Sequence, residues 1–246
     1  MSDLFDAGSM YDEDYLRLFA SPVAADPHSD TDAELVWQLS DLEPGMRVLD
    51  LACGHGRIAN RLAARGCQVT GLDSSAVFLE RARADAAALG VEVDYVTGDV
   101  REIPWTGEFD RVVNWATAFG YFDDAVNREV LHQIRHTLRP DGRLVMDLNN
   151  LVARLRSYQP SLVKQHESGD LRVDRFHLAP LTNRLEVERT IIRDGTARQV
   201  SFVVRLFGFP EIRDWLLDAG FTTVTAHGED GRPLTADHDR MVVLAR

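Results

Sequence analysis

Arg47-Val48-Leu49-Asp50-Leu51-Ala52-Cys53-Gly54-His55-Gly56-Arg57 reads as a buried strand that ends near an acid, passes through a loop of small residues and opens a helix. Small residues let loop backbone approach a ligand closely, and the helix start supplies N–H groups with no intrahelical partner. As a bare pattern, Gly54-x-Gly56-x-x-Ala59 also satisfies the dinucleotide-binding fingerprint, with Asp73 at about the 20-residue distance expected of a ribose-binding acid. Asp50 argues otherwise. At the entrance of the loop it repels a pyrophosphate and attracts an ammonium or sulfonium group.

Working outward, short apolar, β-branched runs recur at Arg47–Leu51, Gln68–Leu72, Val91–Val96, Phe109–Val113 and Arg143–Leu148. Helical stretches at Ile58–Ala64, Ala76–Leu89 and Ala125–Leu138 separate them. That order implies a parallel sheet with helices on both faces, an α/β doubly wound architecture. Before it, Tyr11–Phe19 reads as a short helix and Thr31–Leu39 as a second, with Asp30 as its cap. After Leu151 the pattern changes to longer alternating strands, with Leu185, Val187, Val200, Phe202 and Val204 facing inward and Asp194-Gly195 as a hairpin turn. The α/β rhythm returns with helix Glu211–Ala219, strand Phe221–Ala226 and terminal strand Met241–Ala245. We therefore expect an N-terminal lid and helix over 1–40 and one domain over 41–246, with 151–208 as a substrate-side antiparallel insertion.

Three successive strands end in acids, Asp50, Asp73 and Asp99, at one edge of the expected sheet. Each has a structural use when taken alone: Asp50 as a helix-capping acid, Asp73 as N-cap of Ser74–Leu89, Asp99 as a turn former. Taken in order, the runs VLDLACGHGR, VTGLD, GDVREIP, FDRVV and LRPDGRLVMD resemble the motifs of the class I, seven-stranded S-adenosylmethionine-dependent methyltransferases. The resemblance covers Gly45 to Asn150. It implies a mostly parallel seven-stranded sheet and S-adenosylmethionine as cofactor. It assigns the methionine part to Asp50 and to the loop through Ala52, Gly54, Gly56 and Arg57, the ribose hydroxyls to Asp73 with Ser74, and adenine to Asp99 and the Val100 backbone. Tyr11 and Asn114 complete the implied cofactor set, Asn114 through its backbone. Ala52 stands where the family has its first loop glycine, a departure that restricts backbone approach.

The surrounding segments are similar, by topology more than by residues, to amino-sugar N,N-dimethyltransferases and glycine N-methyltransferase. Tyr11 and Tyr15 would be lid aromatics and Ser168–Leu206 the insertion. This resemblance implies a small-molecule acceptor and puts nitrogen ahead of oxygen or carbon as the methylated atom. Tyr15 and Asn149 are the candidate catalytic residues. Phe119, Tyr121 and Asn150 are further lining candidates, and Asp147, His166 or His177 could take a proton from an amine. The alternatives are a nicotinamide-dependent oxidoreductase and a non-catalytic cofactor-binding domain.

At a net charge of −12 the chain repels phosphates and anionic lipid, so neither a nucleic acid nor a membrane is an expected partner, while a homodimer is compatible with the sequence. No apolar run approaches the ~20 residues of a membrane helix, and the acidic segment Ser2–Asp14 lacks the basic start of a secretory signal. Two cysteines, Cys53 and Cys67, give no disulfide framework, and a cytoplasmic location is expected. No metal is expected. His132 and His136 have the spacing of a zinc pair on a helix but lack a third ligand, and Asp147, Asn149 and Asn150 lack a partner acid for Mg²⁺.

Overall fold

The computed structural model describes residues 12–20, 26–166 and 168–246. In chain order its elements are α1 (Glu13–Phe19), α2 (Pro27–Leu39), β1 (Arg47–Leu51), α3 (Ala59–Ala64), β2 (Gln68–Asp73), α4 (Ala76–Leu89), β3 (Asp94–Thr97) and β4 (Phe109–Asn114). Then follow α5 (Asp124–Thr137), β5 (Leu138–Asn149), α6 (Leu151–Arg156), β6 (Ser161–Gln165), β7 (Leu171–Ala179), β8 (Arg184–Arg193), β9 (Thr196–Arg205), α7 (Phe209–Asp218), β10 (Val224–His227) and β11 (Arg240–Ala245).

The two-residue pleat sets the layers. In β1, Val48 enters one apolar cluster while Leu49 and Leu51 enter another, and Val113 and Val112 of β4 and Val145 and Met146 of β5 divide the same way. Strands apolar on both faces need cover on both. Val36, Leu62 and Leu79 of α2, α3 and α4 cover one face; Leu131 and Ile134 of α5 and Trp215 and Leu216 of α7 cover the other. The sheet order is β10-β11-β5-β4-β1-β2-β3, parallel from β3 to β5, with β11 antiparallel to both β5 and β10. This is the expected doubly wound seven-stranded sheet. Its order reverses between β1 and β4, which opens a crevice at the carboxyl ends of those strands.

Several boundaries differ from the sequence reading. Helix α2 starts at Pro27, with Asp26 accepting from Ser29 N at 3.2 Å, so Asp30 is not its cap. Pro27 sits at the first helical position, where its missing N–H and fixed φ cost nothing. Strand β5 begins at Leu138, five residues before Arg143, because Leu138 still pairs with Phe109 across a register shift. Strand Ser161–Gln165 has no signature in the sequence: all five residues are exposed, so no alternation marks it.

Strands β6, β7, β8 and β9 form a separate antiparallel meander. Asp194 and Gly195 turn β8 into β9 with φ of 50° and 75°, the positive pair that a two-residue hairpin loop requires. One face of this sheet carries Leu185, Val187, Val204 and Leu206, against which Tyr121, Phe176, Leu178 and Phe202 pack. Helix α1 is held to the same sheet by charge: Asp14 pairs with Arg193 at 2.5 Å and Arg198 at 3.0 Å, Asp12 with Arg198, and Arg17 with Asp170 at 2.8 Å.

One close contact in the parallel sheet gives a test. A Cβ on Gly71 of β2 would lie 2.8 Å from the Tyr95 ring and 2.9 Å from Cys53 Sγ. Gly71→Ala therefore overpacks the interior and should lower stability by about 1–3 kcal/mol in chemical denaturation.

Candidate active site

The loop after β1 takes left-handed backbone three times, at Ala52 (φ 58°), Gly54 (56°) and Gly56 (75°). Ala52 thus carries a side chain where glycine is preferred, which concentrates strain beside the cavity. Gly56 is required from the protein side: a Cβ there would lie 2.1 Å from Tyr95 Oη, which donates to Asn60 Oδ1 at 2.7 Å.

The three strand-end acids have distinct surroundings. Asp73 accepts from Gly54 N through Oδ2 and from Ser75 N through Oδ1, both at 2.8 Å. It does not cap α4; Ser75 does, accepting from Phe78 N at 3.3 Å. Burial raises the Asp73 carboxyl above its ordinary range, and the amides of Ser75, Gly54 and Ser74 pull it back. Asp50 is 2% exposed and accepts from Ala59 N at 3.1 Å, so it does hold the start of α3. Burial pushes its carboxyl up to about 7, against the pull of Arg57 and the Ala59 amide. Asp99 is gripped by Arg101 at 2.7–3.0 Å, and that pair holds its carboxyl low.

These acids line a cavity of about 330 Å³ at the crevice. Ala52, Cys53, Gly54, Arg57 and Ser74 also line it, with Val100 beside Asp99 and Trp115 and Ala116 after β4. Tyr15, Phe78 and His55 form an aromatic wall, Tyr15 5.4 Å and His55 6.1 Å from Phe78 between ring centroids. Burial lowers His55 to about 4, with Arg57 and Arg81 adding to the effect, so its ring is neutral near pH 7.

A second cavity of about 640 Å³ lies between the sheet's edge and the meander. Phe176, Leu178, Val187, Phe202 and Val204 supply an apolar wall, and Asn149, Arg154, Arg172, Asp174, Arg189, Asp239 and Arg240 are among the polar and charged groups. Asp174 is buried and held by Arg189 at 2.8 Å and Arg172 at 3.1 Å. Tyr15, Ala116 and Tyr121 line both cavities.

Of the residues named from sequence, Tyr15 and Asn149 reach the second cavity, and Asp50, Ala52, Gly54, Arg57, Asp73, Ser74, Asp99 and Val100 the first. Tyr11 lies outside the described residues. Gly56 and Asn114 are not among the described lining residues; the Asn114 side chain donates to Leu51 O at 2.9 Å, bracing the end of β1. Phe119 is core, stacked near Phe207, and Asn150 caps α6. His166 and His177 are not among the described residues lining either cavity; His177 lies on the face of β7 opposite Phe176 and Leu178. Asp147 is fully buried, is not among the described residues lining either cavity, and accepts through Oδ2 from the Ala116 amide and Arg240. Sequence reasoning missed Phe78, Trp115, Asp239 and Arg240. Only the one-turn spacing of Ser75 and Phe78 beside the Asp73 loop could have marked the first of these.

Comparison with known proteins gives the same architecture. Residues 48–142 match the family described as "Methyltransferase domain". Residues 48–142 are thus a methyltransferase domain, in a fold shared with class I methyltransferases. Over 103 residues it is 38% identical to demethylmenaquinone methyltransferase of Thermus thermophilus, covering 41% of this chain and 46% of that protein. The CcbJ methyltransferase of Streptomyces caelestis superposes with a TM-score of 0.79 at 22% identity, over 98% of this chain and 99% of that one. The SAM-bound CalS10 of Micromonospora echinaspora, an amino pentose methyltransferase of calicheamicin biosynthesis, superposes with a TM-score of 0.64 at 20% identity over 95% of each chain. The antiparallel meander lies outside the matched segment. No helix among the described residues is long and apolar enough to cross a membrane.

The Asp50 environment fixes a pH dependence. Because its folded pKa is raised from 3.8 to about 7, the folded state binds the proton more tightly, so its contribution to stability falls as pH rises from about 4 to 7. Asp50→Asn keeps an acceptor for Ala59 N without the buried charge. The variant should be about 1–3 kcal/mol more stable than the parent at pH 8, the gain vanishing near pH 4, in paired denaturation curves.

Proposed function

We propose that this methyltransferase moves the methyl group of S-adenosylmethionine to the nitrogen of a small-molecule amine held in the second cavity. The observation that carries the reading is the meeting, at Tyr15, Ala116 and Tyr121, of an acid-lined cavity with a second one in which an apolar wall faces polar and charged side chains.

The residues of the first cavity fit the cofactor chemically. Asp50 offers partial negative charge to the methionine ammonium beside the backbone of Ala52 and Gly54. The Asp73 carboxylate, oriented by the amides of Gly54 and Ser75, lines the cavity where it would accept the ribose hydroxyls. Asp99 and the Val100 backbone suit the adenine edge, and Phe78 its ring. Arg57 is neutralised by Asp32 at 2.8 Å and Arg101 by Asp99, so neither offers a pyrophosphate an open cation, which counts against a nicotinamide cofactor. When bound, the cofactor supplies a sulfonium methyl for in-line displacement. The protein's part is to orient the acceptor and exclude water.

The acceptor side rests on three things. The meander walls the second cavity with apolar side chains, α1 closes over it with Tyr15, and Asn149 with Asp239 supplies polar groups at the ends of β5 and before β11. An amine acceptor is supported by the likeness to CalS10, an amino pentose methyltransferase. The protein would act in the cytoplasm.

The test is a panel of amines, phenols and keto acids assayed for conversion of S-adenosylmethionine to S-adenosylhomocysteine. Turnover concentrated among the amines is expected; turnover of phenols alone would move the methylated atom to oxygen. A second expectation concerns Asp73. Hydrogen bonds to a charged group are worth about 1.5–3 kcal/mol, so Asp73→Ala should weaken S-adenosylhomocysteine binding by about tenfold to a few hundredfold in calorimetry. Unchanged affinity in a folded Asp73→Ala protein would refute the ribose assignment.

A further inference from the structure

Of the residues shared by the two cavities, Ala116 is placed by its backbone. Ala116 and Thr117 follow one another at φ 61° and 57°, left-handed without glycine, a conformation that persists only where the surroundings impose it. Asp147 imposes it from both ends. Its carboxylate Oδ2 accepts from Ala116 N at 3.0 Å, and its carbonyl accepts from Thr117 N at 3.1 Å.

Asp147 is in turn the end of a ladder of alternating charge. Arg240 donates from Nη1 to Asp147 Oδ2 at 3.2 Å and from Nη2 to Asp32 Oδ1 at 2.7 Å, and Arg57 Nη1 donates to Asp32 Oδ2 at 2.8 Å. The ladder crosses the molecule between its two cavities. Arg57 and Trp115 line the first, Thr117 and Arg240 the second, and the Arg240 guanidinium lies 5.7 Å from the Trp115 ring centroid.

Stability does not account for these charges. Desolvating a buried ion pair offsets most of its attraction, and apolar side chains of similar volume often do as well or better. Here Asp147 is 0% exposed and its Oδ1 has no hydrogen-bond partner among the described residues, so the pair is far from an optimised one.

We infer that Asp147 and Arg240 are positioning residues for methyl transfer: they fix the Ala116–Thr117 turn as the floor common to both cavities and tie it, through Asp32 and Arg57, to the loop after β1. This rests on the reading of the two cavities as cofactor and acceptor sites. Neither residue touches the reacting atoms. Their effect is on the line along which acceptor and methyl group meet, and in-line displacement loses rate steeply when that line shifts.

The variants Asp147→Asn, Arg240→Gln and Arg240→Lys separate positioning from folding. Asparagine keeps an acceptor for Ala116 N but not the charge facing Arg240; lysine keeps the charge of Arg240 but cannot hold both acids through one planar group. Amide hydrogen exchange at Ala116 and Thr117 in the apoprotein needs no acceptor and decides whether the ladder holds the turn. Exchange about tenfold faster in Asp147→Asn and Arg240→Gln is expected, with S-adenosylhomocysteine affinity within about threefold of the parent. With the amine turned over fastest in the panel, kcat should fall about tenfold to a hundredfold in both, at nearly unchanged KM in Asp147→Asn, and Arg240→Lys should recover part of the loss in Arg240→Gln. Unchanged exchange, or cofactor affinity and melting temperature collapsing together, would overturn the inference. A parent protein that binds S-adenosylhomocysteine but methylates no amine would instead count against the amine reading, leaving exchange to judge the ladder.

Discussion

Gly54 N and Ser75 N donate to the two oxygens of one largely buried carboxylate, Asp73, and this pair of bonds ties the loop after β1 to the start of α4. The strands alone would leave those two segments side by side without fixing either. Once both amides are committed to Asp73, the loop holds its left-handed turns and α4 presents Phe78 toward the crevice. The carboxylate is costly to bury, and burial raises its pKa above the ordinary range. What offsets it is a set of amides that would otherwise be orphaned at a loop and a helix start.

The two cavities are built on different electrostatic terms. The first gathers acids at the carboxyl ends of parallel strands and cancels nearby arginines within the protein, Arg57 with Asp32 and Arg101 with Asp99. The second gathers apolar side chains from a meander whose polar groups, Asp174 with Arg172 and Arg189, are already paired with one another. Helix α1 spans the junction because its acids match the arginines of the β8–β9 hairpin. Such partly exposed pairs are individually weak and screened by salt.

Much of the first cavity was legible because its signals are local. Asp50, Asp73 and Asp99 each end or follow a strand within a few residues of a turn, so strand prediction places all three at one edge. Gly54 and the small residues around it carry the same message. The reasons behind some residues were not legible. Gly56 reads as a residue for ligand approach, yet Tyr95, 39 positions along the chain by numbering, is what excludes a side chain there. The structural alternative for Asp73, a helix cap, falls away because Ser75 has that role.

By itself the sequence determined the α/β alternation, the doubly wound sheet and the acids at its working edge, because hydrophobic period and turn chemistry act over a handful of neighbouring residues. Tertiary structure alone decided which side chains share a cavity. Asp32, Arg57, Asp147 and Arg240 span most of the chain and meet only because β11 runs back beside β5 and α2 packs near the loop after β1. Asp147 looks in sequence like an exposed strand-end acid able to take a proton. Burial instead pushes its carboxyl up to about 6 against the pull of Arg240, and no pattern in the sequence encodes a partner 93 residues away.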